Sequence, residues 1–320
     1  MTSASGAPEL EVVEYTDPFC PWAWGSEPTF RRLRAALDGR ARWRRVHGIL
    51  FDDDDDQPPD PQAEVRWYNG YVERISAHTG APRPAVMFHV PDSSWDASCV
   101  AKAAEEQGSD VGDRVLRRLR EVMFLHGHPP ASLDSALFAV ETLPGIDPDR
   151  LRADATSDAV RERVRADHAE ARRPLPEALR VDSDSPHPGA AKETHDGQLR
   201  YAMPTLLFRT PHGHRVVPGW RPYEEYAAAV EELCPGLLPE VPPRLPAAEA
   251  LRRWATLTGP EIEALATGPW PPPGAVRHDT AGGPLWLRPE ERVGGIHAYP
   301  QAAGDPSGAA VTSEESPSAE

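Results

Sequence analysis

Residues 10–24 read Leu-Glu-Val-Val-Glu-Tyr-Thr-Asp-Pro-Phe-Cys-Pro-Trp-Ala-Trp, and this stretch decides the fold class of the chain. Its first seven residues form a short run rich in β-branched and aromatic side chains, which favours a strand. Asp17-Pro18 then predicts a turn, and apolar residues recur at helical spacing as far as Leu37. We therefore predict a strand, a tight turn that carries Cys20, and a helix.

The same kind of pattern organises the chain further on. A second strand is predicted at 42–51, and helical spacing of apolar residues dominates 62–173. Short apolar runs at 204–209 and 215–217 predict a hairpin, and Pro222 opens a helix that runs to Leu233. The order is strand, helix, strand, helical insert, two strands, helix, so we expect an α/β fold.

Four segments are expected. Residues 1–9 are a flexible N-terminus, and 10–238 are the main body with its helical insert at about 62–196. Predicted helices at 247–255 and 260–267, with hairpin arms at 275–277 and 285–287, suggest a small winged-helix-like appendage over 239–299. The acidic, Ser/Gly/Ala-rich residues 300–320 are expected to be disordered.

Composition excludes several classes of protein. The 320 residues carry 34 Lys+Arg against 50 Asp+Glu, a formal net charge of −16, which argues against nucleic acid as a partner. No run of about 18 apolar residues and no signal sequence is visible, so we expect no membrane association and a cytoplasmic protein. The histidine pairs His126/His128 and His212/His214 lack ligands at zinc spacing, so no metal site is predicted.

The cysteines are too few for a disulfide scaffold, since there are only 3 of them. Cys20 lies where the first helix starts, and unpaired backbone N–H groups with the helix dipole favour a thiolate there and lower its pKa. Pro21 fits the first helical turn. Cys99 lies on an apolar helical face and is expected to be packed and inert, and Cys234 is expected to be structural.

A second motif is Met203-Pro204-Thr205, directly before an apolar strand. A proline at this position can hold a cis peptide bond and leave the preceding backbone free to pair with an extended ligand.

Together the motifs resemble the DsbA family of thioredoxin-like proteins, in particular its cytosolic branch with FrnE-like proteins and YjbH-type adaptors. The resemblance rests on Cys20-Pro21-Trp22-Ala23, Val46 to Leu50, Ala97 to Gly108 and Met203-Pro204-Thr205, in that order, and covers Leu10 to Leu233. It implies a thioredoxin-like fold with a helical insertion and a small C-terminal appendage. It also implies a catalytic Cys20, an active-site motif of Pro21, Trp22 and Ala23, and a substrate-binding group of Trp24, Met203, Pro204 and Thr205.

The chain departs from the family at Ala23, where a dithiol oxidoreductase has its second cysteine. The resemblance then implies monothiol exchange: Cys20 attacks a peptide or small disulfide, and an external low-molecular-weight thiol, Cys99 or Cys234 resolves the adduct. No tightly bound cofactor is expected. Two alternatives stay open, a non-catalytic adaptor and an enzyme like the kappa-class glutathione transferases, which have Ser where Cys20 stands. The oligomeric state is left open.

Overall fold

A four-stranded sheet forms the centre of the body. In the computed structural model, which describes residues 9–56 and 58–292, its strands are β1 (Leu10–Thr16), β2 (Ala41–His47), β3 (Thr205–Thr210) and β4 (Gly213–Pro218). Their spatial order is β2-β1-β3-β4. β1 runs parallel to β2 and antiparallel to β3, with Tyr15 opposite Val46 on one side and Thr205 on the other. β1 therefore connects the strand β2, which precedes the helical insert, to the hairpin of β3 and β4, which follows it.

Helices fill most of the remaining chain. The described residues contain α1 (Pro21–Ala36), α2 (Pro61–Thr79), α3 (Trp95–Ala104), α4 (Ser109–His126), α5 (Leu133–Val140), α6 (Pro148–Ala155), α7 (Asp158–Ala171), α8 (Pro176–Leu179), α9 (Tyr223–Leu233), α10 (Ala247–Trp254) and α11 (Gly259–Leu265). Three-residue and four-residue 3₁₀ turns follow at Glu105–Gln107 and Pro289–Arg292. None of the described helices is both long and apolar enough to cross a membrane. The strand–helix order predicts and the structure confirms an α/β architecture.

Two cores hold these elements together. On one face of the sheet, α1 and α9 pack through Phe30 and Tyr226 against Val12 and Phe208. The helices between β2 and β3 form a larger apolar core of their own around α3 and α4. Burial of this apolar surface supplies the main stabilising free energy, and the insert adds a second packed layer to the body.

The C-terminal segment packs onto the body. It contains α10, α11 and a three-stranded sheet of β5 (Thr256–Thr258), β6 (Val276–His278) and β7 (Leu285–Leu287). Two-residue strands occur at Leu245–Pro246 and Ala266–Thr267, and another pair at Lys192–Glu193 and Leu199–Arg200. Arg117 of α4 donates two hydrogen bonds to the Glu261 carboxylate at 2.9 and 3.0 Å, so the segment is tied to the insert by a buried ion pair.

The second strand ends earlier than the sequence predicts. β2 stops at His47 rather than at residue 51, because Ile49 takes a left-handed φ of 49° that breaks the extended conformation. The predicted helix at 260–267 likewise ends at Leu265. The acidic tail predicted at 300–320 lies outside the described residues, as does the flexible N-terminus except Glu9.

Candidate functional site around Cys20

Cys20 is the N-cap residue of α1, as the strand–turn–helix pattern predicts. The N–H of Ala23 donates to the Cys20 Sγ at 3.4 Å. The thiol in turn donates to the carbonyl oxygen of Met203 at 3.2 Å, across 183 residues of chain. The two motifs singled out in the sequence thus meet in the structure.

The Met203–Pro204 peptide bond is cis. The Pro204 carbonyl accepts a hydrogen bond from the N–H of Gly219 at 2.9 Å, and the buried Thr205 hydroxyl donates to Ala202 at 2.7 Å. These contacts fix the loop before β3, so the Met203 carbonyl is held against Cys20.

A segment around His187, which the sequence analysis missed, packs against Trp22 and Met203. His187 stacks on Trp22 with ring centroids 5.0 Å apart and planes at 10°. Its Nε2 lies 3.0 Å from the Met203 oxygen, and since a carbonyl only accepts, this nitrogen carries the proton. The His187 carbonyl accepts from the N–H of Trp220 at 3.2 Å. The Met203 oxygen thus accepts two hydrogen bonds, one from the Cys20 thiol and one from the His187 ring.

Aromatic side chains continue from Trp22 toward the protein surface. Trp22 donates its indole N–H to the Tyr71 hydroxyl at 2.8 Å. Tyr71 stacks on Trp67 at 5.2 Å, and His78 packs edge-on against Trp220 at 4.5 Å. Trp67 is 56% exposed, His78 is exposed, and Tyr71 and Trp220 are half-buried. We call these four residues, Trp67, Tyr71, His78 and Trp220, the aromatic face.

The expected low pKa of Cys20 is wrong. The side chain is only 3% exposed, and burial raises the pKa of the thiol to about 11. The hydrogen bond from the Ala23 N–H lowers this pKa, but offsets only part of the effect of burial. The nearby Asp17 carboxylate raises the pKa further. Desolvation disfavours the thiolate more than the start of α1 stabilises it.

Asp17 shapes the turn that carries the thiol. Its carboxylate accepts from the N–H of Phe19 at 2.7 Å, from the N–H of Leu50 at 2.8 Å and from the Ser94 hydroxyl at 3.2 Å. Burial raises the Asp17 pKa in spite of these donors. The left-handed Ile49 belongs to the same junction, because it places the Leu50 N–H on this carboxylate.

Trp24 does not join the site. Its indole N–H donates to the Pro82 carbonyl at 2.8 Å, its ring stacks on Phe124 at 6.0 Å, and Arg117 lies over it at 4.4 Å. The structure therefore places Trp24 in the core of the helical insert, whereas Trp22, Ala23 and Met203 share one apolar cluster with Cys20.

The other two cysteines belong to other parts of the protein. Cys99 is buried in the core of the helical insert and Cys234 is half-buried beside α9, and all three thiols are free. Burial raises the pKa of Cys99 to about 11. Within the described ranges, no group of three or more His, Cys, Asp or Glu residues is placed to hold a metal ion.

The sheet order, the helical insert between β2 and β3, and a cysteine at the start of α1 beside a cis proline define a thioredoxin-like fold. A thioredoxin family model matches residues 14–173. The chain therefore belongs to the thioredoxin family.

Three known proteins illustrate the relationship. The ClpXP adapter protein SpxH of Halalkalibacterium halodurans is 31% identical over 162 residues, 49% of this chain and 53% of that protein. The SpxH of Shouchella clausii is 27% identical over 173 residues, 49% of this chain and 52% of its own length. A structure from Nitrosomonas europaea assigned to the protein disulfide isomerases has a TM-score of 0.54 at 14% identity and covers 70% of this chain and 97% of its own. The chain thus spans about half the length of the curated relatives it matches, and the structural likeness concerns the fold.

Proposed function

We propose that this chain is a binding protein of the adaptor type, which holds a protein partner at the aromatic face and performs no thiol–disulfide exchange. The observation that carries the proposal is the enclosed state of Cys20. Its thiol is satisfied by Ala23 and Met203, and the position of a resolving cysteine is held by an alanine. A two-electron disulfide cannot close at this site.

The aromatic face supplies the binding surface. Tryptophan and tyrosine bury much area at little conformational cost, and they are enriched among residues that dominate binding free energy. Here the rings form two pairs, Trp67 with Tyr71 and His78 with Trp220, and Trp22 contacts one member of each pair. Trp67 is more than half exposed. Both SpxH relatives are named as ClpXP adapter proteins, which agrees with a role of this kind.

A thiol-exchange assay tests the absence of redox chemistry. The chain and its Cys20→Ser variant are compared for glutathione-dependent reduction of a small disulfide. We expect both to remain at the uncatalysed rate. Activity in the unmodified chain that disappears in Cys20→Ser would contradict the proposal.

A binding assay tests the surface. The chain is used to capture proteins from the cells that produce it, with Trp67→Glu as the test variant and Val241→Glu as the matched control, since Val241 is 75% exposed between α9 and α10. We expect Trp67→Glu to lose specific partners that Val241→Glu and Cys20→Ser retain. Equal capture by all variants would contradict the assignment of the aromatic face.

Monothiol exchange is the second candidate, and the contact between Cys20 and the carbonyl next to the cis proline favours it. In this reaction the thiolate attacks a substrate disulfide, a mixed disulfide forms, and one substrate thiolate leaves. A low-molecular-weight thiol then attacks the mixed disulfide as co-substrate and restores Cys20. Because Cys20 is only 3% exposed, the residues packed around it have to move away first.

A further inference from the structure

The aromatic face leaves an indole surface open. One side of the Trp67 ring stacks on Tyr71, and the residue is more than half exposed. At several other tryptophans an arginine lies over the ring, as Arg117 does over Trp24 at 4.4 Å. Among the described residues, no arginine lies in this way over a ring of the aromatic face. A cation brought by a ligand would therefore find an unoccupied indole there.

Acidic residues lie at the start of α2, next to this indole. Asp60 is the N-cap of the helix, and Glu64 lies one helical turn before Trp67, so the Glu64 and Trp67 side chains share one side of α2. Asp60 lies 3.8 Å from Arg66, whereas Glu64 forms no ion pair within the described part of the chain. Glu64 is thus a carboxylate without a counter-charge beside the open ring.

The acidic run of residues 53–56 lies near the same end of the face. It follows Phe51, whose ring contacts Tyr68 at 6.2 Å, and Tyr68 contacts Trp67 at 6.5 Å. All four aspartates of the run are exposed. In the ranges that the structure describes, only Asp55 of the four is in an ion pair. Three carboxylates of this run are therefore available to a cation.

A second acidic stretch lies at the Trp220 end of the face. The Ser185 hydroxyl donates to the Trp220 carbonyl at 2.8 Å, and Asp184 directly precedes this serine. Asp182 and Asp184 are both exposed, and neither has an ion-pair partner among the residues that the structure describes. Carboxylates therefore flank the aromatic face at both of its ends.

The charge of the surrounding segments is negative overall. Residues 50–80 and 180–187 contain ten carboxylates and three arginines. Arginines from other elements pair with two of these carboxylates, Asp52 and Glu73. Even when Arg200 is counted, which donates to the neighbouring Tyr201 carbonyl, an excess of four carboxylates remains. The surroundings of the face are thus complementary to positive charge.

We propose that the partner held at the aromatic face is a basic segment that also carries apolar side chains. This inference rests on the proposed function, because the face is the binding surface assigned there. A Lys or Arg of the segment would lie over the open Trp67 ring and pair with Glu64 or with the free aspartates. Its apolar side chains would pack on the remaining rings, and an acidic segment would be repelled.

Three labelled peptides and the full chain test this proposal by fluorescence anisotropy. In the first peptide lysines alternate with leucines, the second has glutamate in place of each lysine, and the third has serine in place of each leucine. We expect saturable binding of the first, binding about tenfold weaker or less of the third, which lacks the apolar part, and none of the second. Absence of binding of the first peptide, or equal binding of the first and second, would overturn the proposal.

Salt separates charge complementarity from apolar contact alone. Between about 0.1 M and 1 M salt the Debye length falls from about 10 Å to about 3 Å, so exposed charges are largely screened. We therefore expect the first peptide to bind more weakly as the salt concentration rises. An affinity that does not change with salt would overturn the basic character of the partner.

Two triple variants that remove the same net charge locate the binding. The test variant carries Asp53→Asn, Asp54→Asn and Asp184→Asn. The control variant carries the following changes at exposed carboxylates elsewhere: Glu141→Gln, Asp149→Asn and Glu240→Gln. We expect the test variant to bind the first peptide about tenfold more weakly and the control to bind it unchanged. An equal loss in both would show attraction by the net charge of the whole chain and would overturn the placement.

Capture of protein partners with the same variants distinguishes this inference from the proposed function. If Trp67→Glu loses the partners and the triple test variant keeps them in full, the adaptor function stands and the basic character of the partner is refuted. If Trp67→Glu also keeps them, the aromatic face is refuted as the binding surface, and both proposals fail.

Discussion

The protonation of Cys20 gives a quantitative prediction that separates burial from the helix start. With a pKa of about 11, about one Cys20 in 10⁴ is a thiolate at pH 7, against about 3% for an unperturbed cysteine with a pKa of about 8.5. Because alkylation needs the thiolate, the rate constant should be about 300-fold below that of a free cysteine from protonation alone. Steric protection by the residues packed around Cys20 lowers it further.

The assay is iodoacetamide labelling followed by mass spectrometry between pH 6 and 11, in a chain with Cys99→Ala and Cys234→Ser so that only Cys20 reacts. We expect the rate to keep rising with pH throughout this range. The same chain in urea should titrate near pH 8.5 and serves as the control. A plateau with a midpoint at or below about 8.5 in the folded protein would refute the reasoning that desolvation outweighs the start of α1.

Three further predictions concern the surroundings of the thiol. Burial lowers the pKa of His187 to about 4. Between about pH 6.5 and 4 the unfolded state therefore binds a proton that the folded state does not, and the free energy of unfolding should fall by up to about 3 kcal/mol as the pH drops through that window. The measurement is urea unfolding at each pH, and a His187→Phe variant that shows the same fall would contradict this prediction. Gly189→Ala would place a Cβ 2.2 Å from the Gly219 nitrogen at a φ of +83°. The segment around His187 should therefore shift, and Cys20 should be alkylated faster. An unchanged alkylation rate would show that this segment does not protect Cys20 from the reagent. Arg120→Met removes a buried partner of Glu27 and should lower the free energy of unfolding by about 3 kcal/mol in urea unfolding. Adding Glu27→Gln should recover part of this stability. A decrease below about 1 kcal/mol would contradict the importance of the pair.

The fold class could be predicted from the sequence, whereas the contact between Cys20 and Met203 was shown only by the structure. The β-branched and aromatic run of β1, the turn at Asp17-Pro18 and the helical spacing beyond it are local signals, and local signals predict element types well. Trp24 could also have been placed correctly, because residues two apart on a helix point to different sides. Trp22 and Trp24 therefore could not both face Cys20.

The state of the thiol could not be predicted in this way. The helix start that favours a thiolate is local, but the desolvation that overrides it comes from burial among residues distant in the chain, such as Ile75 and Met203. Nothing in the polar segment around His187 marks it as a packing partner of residues far upstream. The left-handed Ile49 is similar, since an isoleucine gives no local signal for a positive φ.

The sheet order also has a consequence for how the protein folds. β1 pairs with β3 across about 190 residues, as in Tyr15 with Thr205, so the centre of the sheet closes only after the whole helical insert has been made. Loop closure over such a distance raises the contact order and slows folding. A chain that ends at residue 173, where the family match ends, would leave one edge of β1 without a partner. An unpaired edge of this kind is a template for aggregation, so β3, which lies beyond residue 173, protects the first strand.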